Sequence, residues 1–253
     1  MGALTVLCSI GTTHPWNIAG VGLDARVAQR MDARHVVAIA GVSAQGSGES
    51  GGVATPSALL AAQLRATRDV KPDAYRIGAL FSAANVDVVA EFLAHSRVPV
   101  VCDPVMSASD GLVLSEPGTI DALRSKLFRL CTLVTPNLDE ASRLCGFPVN
   151  DRATMAGAAH TLVQRDGARA ALVKGGHLSD EASDVLYDGE NLVFEGERLP
   201  DGMRGTGCAL ATAVAISMAR GLNLRDAIGA ARAIVRDAIQ HAIEWRGERV
   251  WPW

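Results

Sequence analysis

Arg204-Gly205-Thr206-Gly207-Cys208 runs without a break into Ala209-Leu210-Ala211-Thr212-Ala213-Val214-Ala215-Ile216. The second half is apolar, Ala-rich and free of Pro, which predicts a helix over about 206–220. Two glycines around Thr206 leave the backbone N–H groups at its start uncovered. A Gly-rich turn opening a helix gathers unpaired N–H groups and the positive end of the helix dipole at one spot. Such a spot suits a phosphate or a transition-state oxyanion. Cys208 lies where that dipole favours a thiolate. The same residues also suit a tight turn into a close-packed helix, and the segment alone does not choose between the two.

Working outward from that helix, short β-branched runs alternate with longer Ala/Leu-rich ones. Residues 4–9, 36–42, 74–77, 98–102, 132–135 and 170–173 read as buried parallel strands. Helices are predicted at 23–31, 56–66, 85–95, 118–128, 138–145 and 154–165. Residues 184–187 and 192–195, split by Asp188-Gly189-Glu190-Asn191, read as a hairpin near a sheet edge. A last helix is predicted over about 224–244. This alternation predicts one α/β domain over 1–253, a three-layer α/β/α sandwich with a mostly parallel central sheet. Residues 46–52, rich in Gly and Ser, are expected to be flexible, the edge of a mobile lid. The tail at 244–253, which carries three of the four Trp, is expected to pack against the domain or a partner subunit.

The 253 residues are 49% hydrophobic and 20% charged, enough for a sizeable core. A net charge of −3 with no basic tract gives no reason to expect nucleic acid or an anionic membrane as partner. The start of the chain does not read as a signal peptide, and no apolar run reaches membrane-spanning length. The five cysteines are widely spaced, without a C-x-x-C pair, so neither zinc nor a disulfide framework is expected. Cys8, Cys102 and Cys131 lie in apolar runs and read as core thiols. A cytoplasmic location is the expectation.

In parallel α/β sheets ligands bind beyond the carboxyl ends of the strands. Several polar motifs fall there. Asp103 ends an apolar strand before Pro104; its carboxylate suits a metal–phosphate complex or an Asx turn. Asn137 and Glu140, three apart after Thr135-Pro136, share a helix face. They suit either water-mediated Mg²⁺ binding or reciprocal helix capping, and spacing does not separate the two. Lys174, before Gly175-Gly176, can reach a nucleotide phosphate or stand as a solvated turn residue. Gln45 can give and take hydrogen bonds with a heterocycle edge.

Taken together, four stretches resemble one family. They are Ala171-Leu172-Val173-Lys174-Gly175-Gly176-His177-Leu178, Asp103-Pro104-Val105-Met106, Thr135-Pro136-Asn137-Leu138-x-Glu140 and Gly205-Thr206-Gly207-Cys208. Their order and spacing resemble the hydroxymethylpyrimidine/phosphomethylpyrimidine kinases of thiamine biosynthesis, in the ribokinase-like superfamily. The resemblance runs from about residue 4 to 241. It implies ATP-dependent phosphorylation of hydroxymethylpyrimidine or its monophosphate, with Mg²⁺, and a homodimer. Gly205, Thr206 and Gly207 would form the anion hole, and Cys208 would stand where sugar kinases of the superfamily carry an Asp base. Asp103 and Glu140 would serve the metal. Lys174, Gly175, Thr135 and Asn137 would bind the nucleotide, and Gly11, Ala19, Val42, Gln45 and Met106 the acceptor.

The acceptor end departs from the family pattern. The family's Gly-Ser-Asp-Ser-Ser-Gly-Gly-Ala-Gly is here Gly11-Thr12-Thr13-His14-Pro15-Trp16-Asn17-Ile18-Ala19-Gly20, which loses a carboxylate and gains bulk. Lys-Ile-Gly-Met is Arg76-Ile77-Gly78-Ala79, and Arg204 replaces a usual His. Trp16 suits stacking on a heterocycle or anchoring a surface. Two other functions compete with the leading one: a pyridoxal-type kinase, and a non-catalytic ligand-binding member of the fold.

Overall fold

The computed structural model describes residues 4–46, 50–176, 182–199 and 202–252. Its main sheet contains β1 (Val6–Thr12), β2 (Arg34–Gln45), β3 (Ser50–Ala54), β4 (Ala74–Ile77), β5 (Val100–Cys102), β6 (Leu133–Val134), β7 (Ala171–Val173), β8 (Asp184–Tyr187) and β9 (Asn191–Phe194). Their order across the sheet is β3-β2-β1-β4-β5-β6-β7-β8-β9. Strands β1, β2 and β4 to β7 pair in parallel, whereas β3, β8 and β9 join antiparallel at the two edges.

Side-chain alternation along each strand divides the core. Cys8, Ile10, Tyr75, Ile77, Val100 and Cys102 face one layer. That layer comprises α2 (Ser57–Thr67), α3 (Ala83–Leu93), α5 (Leu138–Cys145) and α6 (Arg152–Gln164). Leu7, Ala74, Val101 and Leu133 face the other, built by α1 (Gly20–Arg30), α7 (Thr206–Ala219) and α8 (Leu224–Gln240). Helix α7 is buried continuously from Ala209 to Ser217, so its Ala-rich composition lets backbones pack closely between sheet and neighbours. The expected three-layer α/β sandwich is therefore present.

Three local expectations are corrected, and a fourth is met in one of its two forms. Helix α4 covers only Thr119–Ala122 and passes into a wider turn at Leu123–Leu127 and a tighter one at Phe128–Leu130, where 118–128 reads as one helix. Residues 50–52 are strand, because β2 runs on to Gln45 and its edge groups pair with Ser50–Ala54; residues 47–49 lie outside the described residues. Helix α8 stops at Gln240, and a hairpin of β10 (Ile243–Trp245) and β11 (Glu248–Val250) follows. The tail docks on its own domain: Trp251 is 1% exposed, and its carbonyl accepts from Arg26 at 3.5 Å. Trp253 lies outside the described residues.

Candidate active site

Because six strands run parallel, their carboxyl ends form one rim. Asp103 N–H donates to Ile77 O at 2.8 Å, Thr135 N–H to Cys102 O at 2.8 Å and Lys174 N–H to Pro136 O at 2.8 Å. The chain switches direction between β1 and β4, the place where such sheets open a crevice. The rim here is charged.

Asp103 is its hub. Lys174 Nζ lies 2.6 Å from Asp103 Oδ1, and Arg76 Nη2 lies 2.9 Å from Oδ2. Thr135 Oγ1 adds a 3.4 Å bond to Oδ1. Burial works against the charge on Asp103, but Lys174 and Arg76 outweigh it and hold the carboxyl below its usual range. Arg76 is itself buried and reaches Asp24 Oδ2 at 3.4 Å; Asp24 accepts from Thr212 Oγ1 at 2.9 Å. A strand-borne cation thus ties α1, α7 and β5 together. Gly78 leaves the space its guanidinium occupies, since a Cβ there would collide with Arg76 Nη1.

Helix α7 opens beside this hub. Gly205 is its N-cap at φ 78, a left-handed conformation that glycine tolerates. A Cβ on Gly205 would also lie 2.5 Å from Ile18 O, and one on Gly207 would lie 2.9 Å from Lys174 Nζ. Backbone contact and conformation thus require glycine at 205, while a side chain at 207 would have to displace the Lys174 ammonium. Two cavities meet at this helix start. One, of about 560 Å³, reaches Thr13, His14, Gln45, Ala79 and Ser107. The other, of about 430 Å³, runs between α8 and the 195–199 segment. Lys174, Gly176, Met203, Thr206 and Gly207 line both. A cation and a set of helix N–H groups at the junction of two cavities suit group transfer between two ligands.

Lys174 is 14% exposed and paired, not a solvated turn residue. Asn137 and Glu140 form the reciprocal cap of α5, with both bonds at 2.8 Å. The capping reading is thus realised, and Glu140 still lines the larger cavity. Burial pushes its carboxyl up to about 7 against the pull of Lys174. A buried acid raised in this way gains from an added cation. Among the described residues no cluster of three or more His, Cys, Asp or Glu could hold a metal. The donors present fit Mg²⁺, which takes one or two carboxylates and fills its shell with water and phosphate.

Other expected site residues land differently. Ala19, Gln45, Asn137 and Cys208 line the larger cavity. Val42 is 52% exposed and outside the cavity wall: alternation along β2 turns Ser43 and Gln45 inward and Val42 outward. Met106 is fully buried in the core. Gly11 is buried behind the rim, where its Cβ position lies 3.6 Å from Gly78 Cα. Thr135 supports Asp103 and lines neither cavity. The Gly175 N–H is taken by Asp184 Oδ1 at 2.9 Å, so Gly176 is the exposed member of that pair. His177 and Leu178 lie outside the described residues. The expected thiolate at Cys208 is not met. Burial pushes its thiol up, and Arg76 recovers only part of that shift. Trp16 packs edge-on against Trp245, ring centres 5.4 Å apart, and does not line the cavity. Sequence reading missed the Asp184–Arg232 pair beneath the smaller cavity and the bridging role of Arg76. For Arg76 the available signal was a charged residue inside an apolar strand.

The phosphomethylpyrimidine kinase family profile matches residues 16–252. The chain belongs to that family. It is 36% identical over 225 residues to the hydroxymethylpyrimidine/phosphomethylpyrimidine kinase of Streptomyces coelicolor, covering 87% of this chain and 83% of that protein. It is 38% identical to the thiamine biosynthesis bifunctional protein ThiED of Geobacter sulfurreducens over 88% of its length, but spans only 47% of that longer relative. Among solved structures, the pyridoxal kinase of Staphylococcus aureus in complex with AMP-PCP superposes with a TM-score of 0.90 at 27% identity, covering 99% of this chain and 94% of that one. The family assignment gives the cavity junction its chemistry: these proteins are kinases.

Proposed function

We propose that this chain uses Mg²⁺ and ATP to phosphorylate hydroxymethylpyrimidine and its monophosphate, as a single kinase domain. The observation that carries the reading is the start of α7 beside Lys174, at the meeting point of two cavities. ATP occupies the smaller cavity, with its terminal phosphate toward Lys174 and Gly176. The acceptor alcohol occupies the larger one. The N–H groups of Thr206, Gly207 and Cys208 take the transferring phosphoryl oxygens. Glu140 and Asp103 would hold Mg²⁺, which would supply charge neutralisation there. Phosphoryl transfer depends mainly on positioning and neutralised charge, and this rim supplies both. Cys208, a neutral thiol, positions the acceptor hydroxyl.

No helix of the described residues is long and apolar enough to cross a membrane, and we read the location as cytoplasmic. Val42 and Val53 face each other across β2 and β3 and are 52% and 66% exposed, which supports a homodimer. The test is ADP release by the purified protein with Mg²⁺-ATP and hydroxymethylpyrimidine, its monophosphate or pyridoxal. Turnover of the pyrimidines is expected. Turnover of pyridoxal alone would make it a pyridoxal-type kinase, and silence with all three a non-catalytic member.

A further inference from the structure

The turn that carries Lys174 is fastened by a pair of charges that the proposed reaction does not use. Where β7 ends, Lys174 N–H donates to Pro136 O at 2.8 Å. The next N–H, that of Gly175, donates to Asp184 Oδ1 at 2.9 Å. These two bonds fix the backbone between Lys174 and Gly176, the two residues of the turn that line the junction of the cavities.

A carboxylate is a costly acceptor at this place. Asp184 is buried, and burial pushes its carboxyl up against the pull of Arg232, the Gly175 N–H and Lys174. It also lines the smaller cavity, where its negative charge would repel an anionic ligand. Arg232, on α8, answers both costs. Its Nη1 pairs with Asp184 Oδ2. Its Nη2 donates to Glu195 O at 3.0 Å and to Ala182 O at 3.4 Å, and its Cζ lies 5.7 Å from the centre of the Phe194 ring. Gly196 leaves room for it, since a Cβ there would lie 2.8 Å from Nη2. Three oxygens and a ring thus hold the guanidinium in place. Buried ion pairs that only pack are often no better than apolar side chains of the same size. This one is bonded to the backbone of the Lys174 turn.

We propose that Asp184 and Arg232 are positioning residues for the terminal phosphates of the nucleotide. Asp184 fixes the Gly175 N–H so that Lys174 and Gly176 face the phosphates, and Arg232 cancels the charge of the carboxylate beside them. This rests on the reading of the smaller cavity as the nucleotide site.

The test is calorimetric binding of AMP-PCP and of AMP, each with Mg²⁺, to the full chain. AMP lacks the terminal phosphates, so the comparison separates the Lys174 turn from the rest of the cavity. Arg232→Met leaves Asp184 charged and unpaired. It is expected to weaken AMP-PCP about tenfold or more and AMP by less than about threefold. Adding Asp184→Asn removes the stranded charge and keeps an oxygen for the Gly175 N–H. The double variant is expected to bind AMP-PCP within about threefold of the parent. Unchanged AMP-PCP binding in a folded Arg232→Met protein overturns the proposal, as does equal loss of both nucleotides or a double variant no better than the single one. If Arg232→Met does not fold, Asp184→Ala is compared with Asp184→Asn. Weaker AMP-PCP binding with Ala and its recovery with Asn are then expected, and equal binding by the two overturns the proposal. A parent that binds neither nucleotide overturns the nucleotide-site reading, and the proposal with it. A parent that binds both leaves that reading standing whatever the variants do.

Discussion

Gly207 and Cys208 are neighbours with different physical duties. At Gly207 any side chain would push on Lys174 Nζ, 2.9 Å from the Cβ position, with the Asp103 carboxylate 3.7 Å away. Gly207→Val should therefore displace the cation and cover the helix N–H groups together. A loss of turnover of about a hundredfold or more is expected, since one oxyanion donor alone carries that much. At Cys208 burial keeps the thiol protonated, so removing it removes a positioning group and not a base. Cys208→Ser should stay within about tenfold of the parent, whereas loss of a general base costs about a hundredfold or more. Turnover numbers for the two folded variants decide the point. A collapse for Cys208→Ser would restore the thiol to the role of base.

At the scale of elements, the C-terminal hairpin acts on a site it does not line. It is tied down by Arg204 N–H donating to Arg249 O at 3.0 Å and by the 3.8 Å contact of Arg204 with Glu248. Its Trp245 packs on Trp16, whose N–H holds His14. Trp245 is 43% exposed, so Trp245→Ala should cost only about 1 kcal/mol, the worth of an aromatic pair. The acceptor KM should nevertheless rise several-fold with the ATP KM unchanged. Thermal melts alongside kinetics check this. An acceptor KM that does not move would detach the hairpin from the site. Helix α5 shows the opposite economy, one pair of residues serving two ends. Asn137 and Glu140 cap the helix and also present polar groups to the cavity. The two meanings of the N-x-x-E spacing are therefore compatible.

For the whole molecule, the buried histidines set an acid limit. Burial is the main cause that lowers both His14 and His35 from 6.5; Arg76 adds to this at His35, while Asp24 opposes it. Below pH 6.5 the unfolded chain takes up protons at these two residues that the folded chain refuses. Stability is therefore full above about 6.5 and falls as the pH drops toward the folded values. Arg204 faces His14 and strengthens the effect, while Asp110 and Glu248 oppose it. Urea midpoints measured from pH 7.5 to 5 should fall for the parent and fall less steeply for His14→Gln. Parallel curves would show that His14 is not a site of this linkage.

Periodicity and turn chemistry were enough to determine the sandwich, the strand–helix order and the glycine turn before α7, because these depend on neighbours in the chain. The resemblance carried by four short motifs was enough to determine the family. Tertiary structure decided which side chains meet. Arg76 lies in β4, while Asp103 and Lys174 follow β5 and β7, and their ion pairs span 27 and 71 residues of sequence. Strand alternation turned Val42 out and Gln45 in, and close packing hid Gly11 and Met106. Burial reversed the charge expected at Cys208, because desolvation depends on everything packed around a group while a helix dipole acts only locally. The same holds for His14, whose unpaired nitrogen exists only once Trp16 has folded onto it and the rest of the chain has closed around both.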